Sequence, residues 1–301
     1  GEAFLASIQQ FNDPESLSLY ISTLEKRVTD LGKDELIAIF NNPDGWLKGG
    51  LHLNDIKGDL MAWLTPLCGA IPLLPSRDGP RSDGKHVYLP AVINEFPDRD
   101  RNMLLYLYGA LHAVSHIRYG SFAVPLSKLY EEFRKTGHPW LATTLFTALE
   151  DARCENHLVR EFSELEPLIR TISLFNLRKR TIQNSSSSLL ELVLEKIVHG
   201  KTKGEHLAEL MKKGLLEKKG WSPERANAYI SLERGEMEEY GELVEQSVKV
   251  MEQVKGGTVL DSVEATLKLV ELLKDHIPEP PEDEQAESDM DSSEDQESVV
   301  P

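Results

Sequence analysis

The stretch that most constrains this chain is LLYLYGALHAVSHIRYG, residues Leu104 to Gly120. It contains no proline, its apolar residues are spread at helical spacing, and it carries His112 and His116 near its end. A spacing of i, i+4 puts both imidazoles on one face of a helix, one turn apart. That is the ligand spacing of a zinc helix, normally written H-E-x-x-H. The position of the motif's glutamate is held by Ala113. The half of the signature that holds metal is present, and the half that hydrolyses is missing. Gly109 lies one turn before His112. Glycine costs a helix about 1 kcal/mol relative to alanine, so its presence predicts that another backbone comes close on the histidine side.

Zinc takes four neighbours, so two imidazoles need help from another element. The candidate is LATTLFTALEDARCENHLVR, Leu141 to Arg160, where Leu141, Leu145, Ala148, Leu149, Ala152 and Val159 recur at helical spacing. Glu150 and Asp151 interrupt this apolar run. An acid beside a buried stripe needs a partner, or it loses hydration without return. A zinc ion held by His112, His116 and Glu150 would be that partner, in a two-His, one-Glu site. Asp151 is then the acid that orients an imidazole. His157, seven residues after Glu150 and on the same face, is the reserve ligand. The plainer alternatives are hydrogen-bonded core histidines, and an acid pair that is solvated or bridged to Arg153 or Arg118.

The runs VYLPAVINEFPDRDRNMLLYLYGALHAVSHIRYGSF and LFTALEDARCE together resemble the N-terminal region of the NorD/CbbO/CobT-like proteins. Those are cytosolic partners of MoxR-type AAA+ ATPases. The likeness covers roughly residues 80 to 160. It rests on Tyr88, Leu89, Pro90, Asn102, His112, His116, Gly120, Phe122, Leu149, Glu150, Asp151, Arg153 and Glu155. The resemblance implies Arg153 beside Asp151 around the metal ligands, a MoxR-type ATPase as partner, and a client enzyme that the pair remodels or activates. It also implies an acidic linker leading into a von Willebrand factor A domain. This sequence ends within its acidic stretch and contains no D-x-S-x-S. Ala113 departs from the family's H-E-x-x-H.

With 301 residues, 40% of them hydrophobic, the chain can bury one large core or two modest ones. Of its formal charge of −17, ten acids lie in Glu279 to Pro301, which holds no base, so the remainder carries −7. Neither part has the clustered Lys and Arg that neutralise phosphates, and no nucleic-acid partner is expected. No apolar run reaches 18 residues and no signal peptide is visible, so no membrane span is expected. Cys68 and Cys154 are far apart and in no C-x-x-C, which fits a reducing, cytoplasmic compartment. The lack of an initiating methionine at Gly1 is expected of a processed or cloned fragment.

Helices are predicted at Ser16–Leu31, Lys33–Phe40 and Asn54–Leu67, the last capped by Asn54. Pro75–Lys85 reads as a polar connecting loop. His86–Val92 reads as a strand, and in gluzincin-type peptidases an edge strand beside the zinc helix binds the substrate backbone. The zinc helix starts at Asp98–Asn102. Leu126–Lys135 follows it, then a helix with Pro139 at N1, one over Glu164–Arg180 and one over Leu189–Val198. Lys201–Lys219 reads as a basic amphipathic helix. Ser222–Val254 opens with S-P-E, Gly256-Gly257 breaks it, and Thr258–Leu273 closes the series. Ile277–Pro301 offers too little apolar surface to fold and reads as a disordered acidic tail or linker.

The expected fold is mainly α with a small β element. Its expected parts are N-terminal helices over 1–60, a zincin-like metal-site core over 61–182, a C-terminal helical region over 183–276 and the tail over 277–301. The expected function is a non-peptidase adaptor or activator, built round a zinc-site remnant. It would work with a MoxR-type ATPase on a client protein or peptide. The alternative is a gluzincin-type zinc metallopeptidase in which Ala113 replaces the general base, naturally or by engineering. A metal-free helical scaffold is a third reading.

Overall fold

Tyr106 ties the first part of the chain together. Its ring is fully buried, and its hydroxyl lies 3.0 Å from the carbonyl oxygen of Leu51 and 2.8 Å from that of Pro90. One helical side chain thus joins two strand segments that are far apart in sequence. The computed structural model describes residues 50–76, 79–96, 99–179, 188–216 and 221–280. The helices expected at 16–31 and 33–40 lie outside the described residues. The chain is mainly helical with a small sheet element, as the periodicity predicts. It divides into two compact units, Gly1–Arg118 and Tyr119–Pro301.

In the first unit, β1 (Leu51–His52) runs straight into α1 (Leu53–Cys68). Four strands follow: β2 (Leu73–Ser76), β3 (Arg81–Ser82), β4 (Val87–Pro90) and β5 (Val92–Ile93). The long helix α2 (Arg99–Arg118) closes the unit. β1 pairs antiparallel with β5, and a separate three-stranded sheet has the order β2-β4-β3. β4 is parallel to β2 along its length and antiparallel to β3 at Val87 and Tyr88. The strand expected at His86–Val92 is therefore split at Ala91, and its main part is a central strand. Neighbours on both sides leave it no continuous open edge for a substrate backbone. The loop expected over Pro75–Lys85 contributes β3, and Asp83 organises the turn behind it. One oxygen of Asp83 accepts from Lys85 N and His86 N, and the other meets His86 Nδ1 at 2.9 Å and Tyr88 Oη at 3.0 Å.

Two sequence features fix how α2 sits in this unit. Asn102, fully buried in its first turn, accepts from the N–H groups of Glu95 and Phe96 and donates to Phe96 O, which ties down the loop that enters the helix. Gly109 meets the loop before β3. A Cβ there would lie 2.5 Å from Pro80 Cγ, so the close neighbour is a proline ring and not the backbone expected from the sequence. Asn54 is not the cap of α1. That place falls to His52, which makes no capping side-chain bond, because β1 hands over to the helix earlier than expected.

The second unit is a helical assembly of α3 (Leu126–Lys135), α4 (Pro139–Glu161), α5 (Glu166–Lys179), α6 (Ser188–His199), α7 (Lys203–Lys212), α8 (Pro223–Val254) and α9 (Val259–Leu273). Short 3-10 turns at Ser121–Ala123 and Ser163–Leu165 precede α3 and α5. The 23-residue α4 is the central element, with α3, α6 and α9 packed along it. Leu141, Leu145 and Leu149 of its stripe are fully buried, sharing one core with Leu192 and Val193 of α6 and with Leu269 and Leu273 of α9. Several ends follow local rules: Pro139 stands at N1 of α4, Ser222 caps α8 ahead of Pro223, and Thr258 with Asp261 forms a capping box on α9.

Three expected boundaries are corrected. A break at 60/61 would cut α1 in its middle. A break at 182/183 would separate α5 from α6, which pack on each other inside one unit. The tail does not begin at Ile277, because that side chain is 1% exposed and belongs to the core of the second unit, while Glu279 binds the start of α4. The basic helix expected over Lys201–Lys219 is shorter, with Lys203 and His206 buried, because Thr202 caps α7 in a capping box with Glu205 and faces the helix N-terminus inward.

The packing at Gly109 yields a test. Alanine there gains intrinsic helix propensity of about 1 kcal/mol, yet its methyl overlaps a stiff proline ring, and overpacking of this kind costs about 1–3 kcal/mol. Gly109→Ala is expected to lower the stability of the first unit in urea titration. A rise in stability would show that Pro80 does not press on α2.

Candidate functional site

The histidine pair forms as its spacing demands. His112 and His116 stand one turn apart on α2, both half-buried, with ring centroids 4.9 Å apart and planes at 75°. Their ring nitrogens approach within 4.8 Å. Tyr108 stacks against His112 on the other side at 6.1 Å, an aromatic neighbour one turn up that the motif alone does not mention. Ser115 donates to the carbonyl oxygen of His112 at 2.6 Å. The donor set of two half-buried imidazoles on one turn suits a borderline-soft divalent ion such as zinc.

Ala113 faces elsewhere. It is 0% exposed and falls on the inner stripe of α2 with Tyr106 and Ala110. A glutamate at this position would bury a carboxylate and lose its hydration.

The expected acidic ligand turns out to have a partner of its own in the second unit. Glu150 and Arg153, three residues apart on α4, are 3% and 1% exposed. Arg153 Nε donates to Glu150 Oε2 at 2.9 Å, and Arg153 Nη2 donates to Oε1. Ser121 Oγ also donates to Oε1, at 2.6 Å. The remaining guanidinium donors reach backbone: Nη1 to Gly257 O at 3.2 Å and Nη2 to Tyr119 O at 3.0 Å. Burial works to raise the Glu150 pKa, but the bonds from Arg153 and Ser121 outweigh it, and the carboxyl is held below its ordinary value. Of the alternatives open in the sequence, a bridge to Arg153 is the one that forms. It satisfies Glu150 without a metal.

Neighbouring side chains extend this hub. Cys154, one turn after Glu150, has Sγ 3.3 Å from Ser121 Oγ and 3.9 Å from Glu150 Oε1. Burial first, and then the charge of Glu150, push its thiol up to about 12, so it stays protonated and inert at neutral pH. His157 stacks on Tyr119 at 5.0 Å, and its Nε2 lies 2.9 Å from Gly257 O. A carbonyl only accepts, so Nε2 carries the proton. That nitrogen is engaged, and the reserve ligand holds the turn before α9 in place instead. Asp151 is half-buried beside the hub.

The structure thus brings His112 to His116 in the first unit, and Glu150 to Arg153, Ser121 and Cys154 in the second. α2 and α4 carry histidine, carboxylate and cysteine groups of the kinds that could hold a metal ion. Sequence reasoning does not single out Ser121, Cys154 or Tyr119. Cys154 does stand at i+4 from Glu150, the one spacing that points to it. Compared with family models, curated proteins and solved structures, the chain finds no match.

The buried pair makes a stability prediction with a definite sign. Because the folded carboxyl of Glu150 titrates below its unfolded value of about 4.3, its contribution is fully present above that pH and is lost as the pH falls through the folded value. Glu150→Ala leaves Arg153 buried without its counter-charge, and removing one partner of such a pair costs about 3–5 kcal/mol. Urea titrations at pH 7 should show that loss, and the gap between parent and variant should narrow in acid. An equal stability at pH 7 would contradict the hub.

Proposed function

We propose that this chain is a metal-binding, non-hydrolytic helical adaptor, with zinc held on α2 by His112 and His116. The observation that carries the reading is the combination on α2 of two convergent imidazoles with a core alanine between them. A hydrolase built on this helix needs a carboxylate to take a proton from metal-bound water, and the methyl of Ala113 supplies none. The histidines belong to the first unit and the acids to the second. Both oxygens of Glu150 serve Arg153, so this reading takes that pair as the groups that fix α4. Zinc so held would supply a Lewis acid, without a neighbouring base to activate its water.

The partnership with a MoxR-type AAA+ ATPase, and a client enzyme or peptide remodelled by the pair, is proposed from the resemblance of the two motif runs alone. What supports a non-enzymatic role independently is the side chain at 113, together with the pairing of β4 with β2 along its length and with β3 at Val87 and Tyr88, which leaves only part of one edge open.

Purified chain is expected to retain about one zinc per molecule after dialysis, by elemental analysis. His116→Ala should lose it, while Glu150→Gln should lose stability and keep the metal. Ala113→Glu, intended to restore a base, is expected to melt lower and cleave no peptide. A metal-free parent would favour the scaffold reading, and peptide cleavage by the parent or by Ala113→Glu would favour the peptidase. Stimulation of a co-expressed MoxR-type ATPase by the parent tests the partner.

A further inference from the structure

The first turn of α4 has no cap of its own. His138 occupies the N-cap position without a capping side-chain bond, and Pro139 at N1 has no N–H. The next two donors, Trp140 N and Leu141 N, are taken by a carboxylate from far along the chain. Glu279 accepts from Trp140 at 3.2 Å and from Leu141 at 3.1 Å, one oxygen for each. His138 Nδ1, a buried nitrogen with no hydrogen bond, lies 3.8 Å from the same carboxylate. Two residues before Glu279, Ile277 is seated in the hydrophobic core formed by α4, α6, α8 and α9. Pro278 and Pro280 flank the acid and stop α9 from continuing.

The segment therefore has the parts of a short peptide ligand. An apolar anchor fills a core position, prolines pre-set the backbone at low entropic cost, and a carboxylate is read by two backbone N–H groups at the positive end of a helix. None of these contacts needs secondary structure in the ligand. We propose that Ile277–Pro280 is a detachable strap: the second unit holds a binding site for an Ile-Pro-Glu peptide at the start of α4, occupied in cis by the chain's own C-terminal segment.

The test compares the full chain with one ending at His276, using a labelled synthetic peptide of sequence DHIPEPPE. The shortened chain is expected to melt lower, to bind the peptide saturably and to regain its lost melting temperature on binding. The full chain should show little binding, because its site is filled. A peptide with glutamine in place of the glutamate, or alanine in place of the isoleucine, should bind at least tenfold more weakly. The proposal is overturned if truncation leaves the melting temperature unchanged, if the glutamine peptide binds as well as the parent peptide, or if the full chain binds as tightly as the shortened one. Should the shortened chain fail to fold, amide hydrogen exchange in full-length Glu279→Gln decides. Trp140 and Leu141 should exchange at least tenfold faster than in the parent while the middle of α4 is unchanged, and equal rates overturn the strap.

Discussion

A guanidinium and a carboxylate that see almost no solvent, three residues apart on α4, set the interior of the second unit. Taking two such ions out of water is expensive, and their attraction offsets it only when the remaining donors and acceptors are also satisfied. Here they are. Arg153 grips Glu150 with two nitrogens and directs its other donors to the carbonyls of Tyr119 and Gly257. Through those two carbonyls one side chain fixes where the second unit begins and where α8 turns into α9. His157 holds the same Gly257 carbonyl one turn further on. The L-E-D-x-R-x-E run is thus read physically as a structural motif: its Glu and Arg hold the helix.

Local features are legible in the sequence. Helical periodicity, Pro139 at N1, the S-P-E start at Ser222 and the Gly256-Gly257 break all mark real element ends, because each depends on residues within one or two turns. The histidine pair forms as its spacing requires, and Gly109 announces a close contact without naming Pro80 as its source. What cannot be read are partners distant in sequence. Glu150 visibly needs a counter-charge, and periodicity cannot choose between a metal and a neighbour on its own helix. Glu279 looks like the first residue of a solvated acidic run because nothing nearby shows that the first turn of α4, whose Leu141 lies 138 residues before it, lacks a cap. His86–Val92 is recognisable as a strand, but whether a strand is central or at an edge depends on pairing with Leu73–Ser76 and Arg81–Ser82, which no residue within the strand records.

These corrections favour one functional reading over its rival. A metallopeptidase needs a base beside its metal and an open strand beside its helix. Ala113 points into the core, and β4 lies between two other strands. A metal bound without catalysis needs neither. Two imidazoles on one helical turn can hold zinc when water or a partner's side chains complete its four neighbours.

The composition of the metal's inner shell is the quantity that tests this account most directly, and X-ray absorption at the zinc edge of the loaded full chain reads it. The account predicts two imidazole nitrogens at about 2.0–2.1 Å, completed by oxygen, with no sulfur. The imidazole signature should vanish in the His112→Ala, His116→Ala double variant. A sulfur shell at about 2.3 Å, or a spectrum unchanged by losing both histidines, would contradict it.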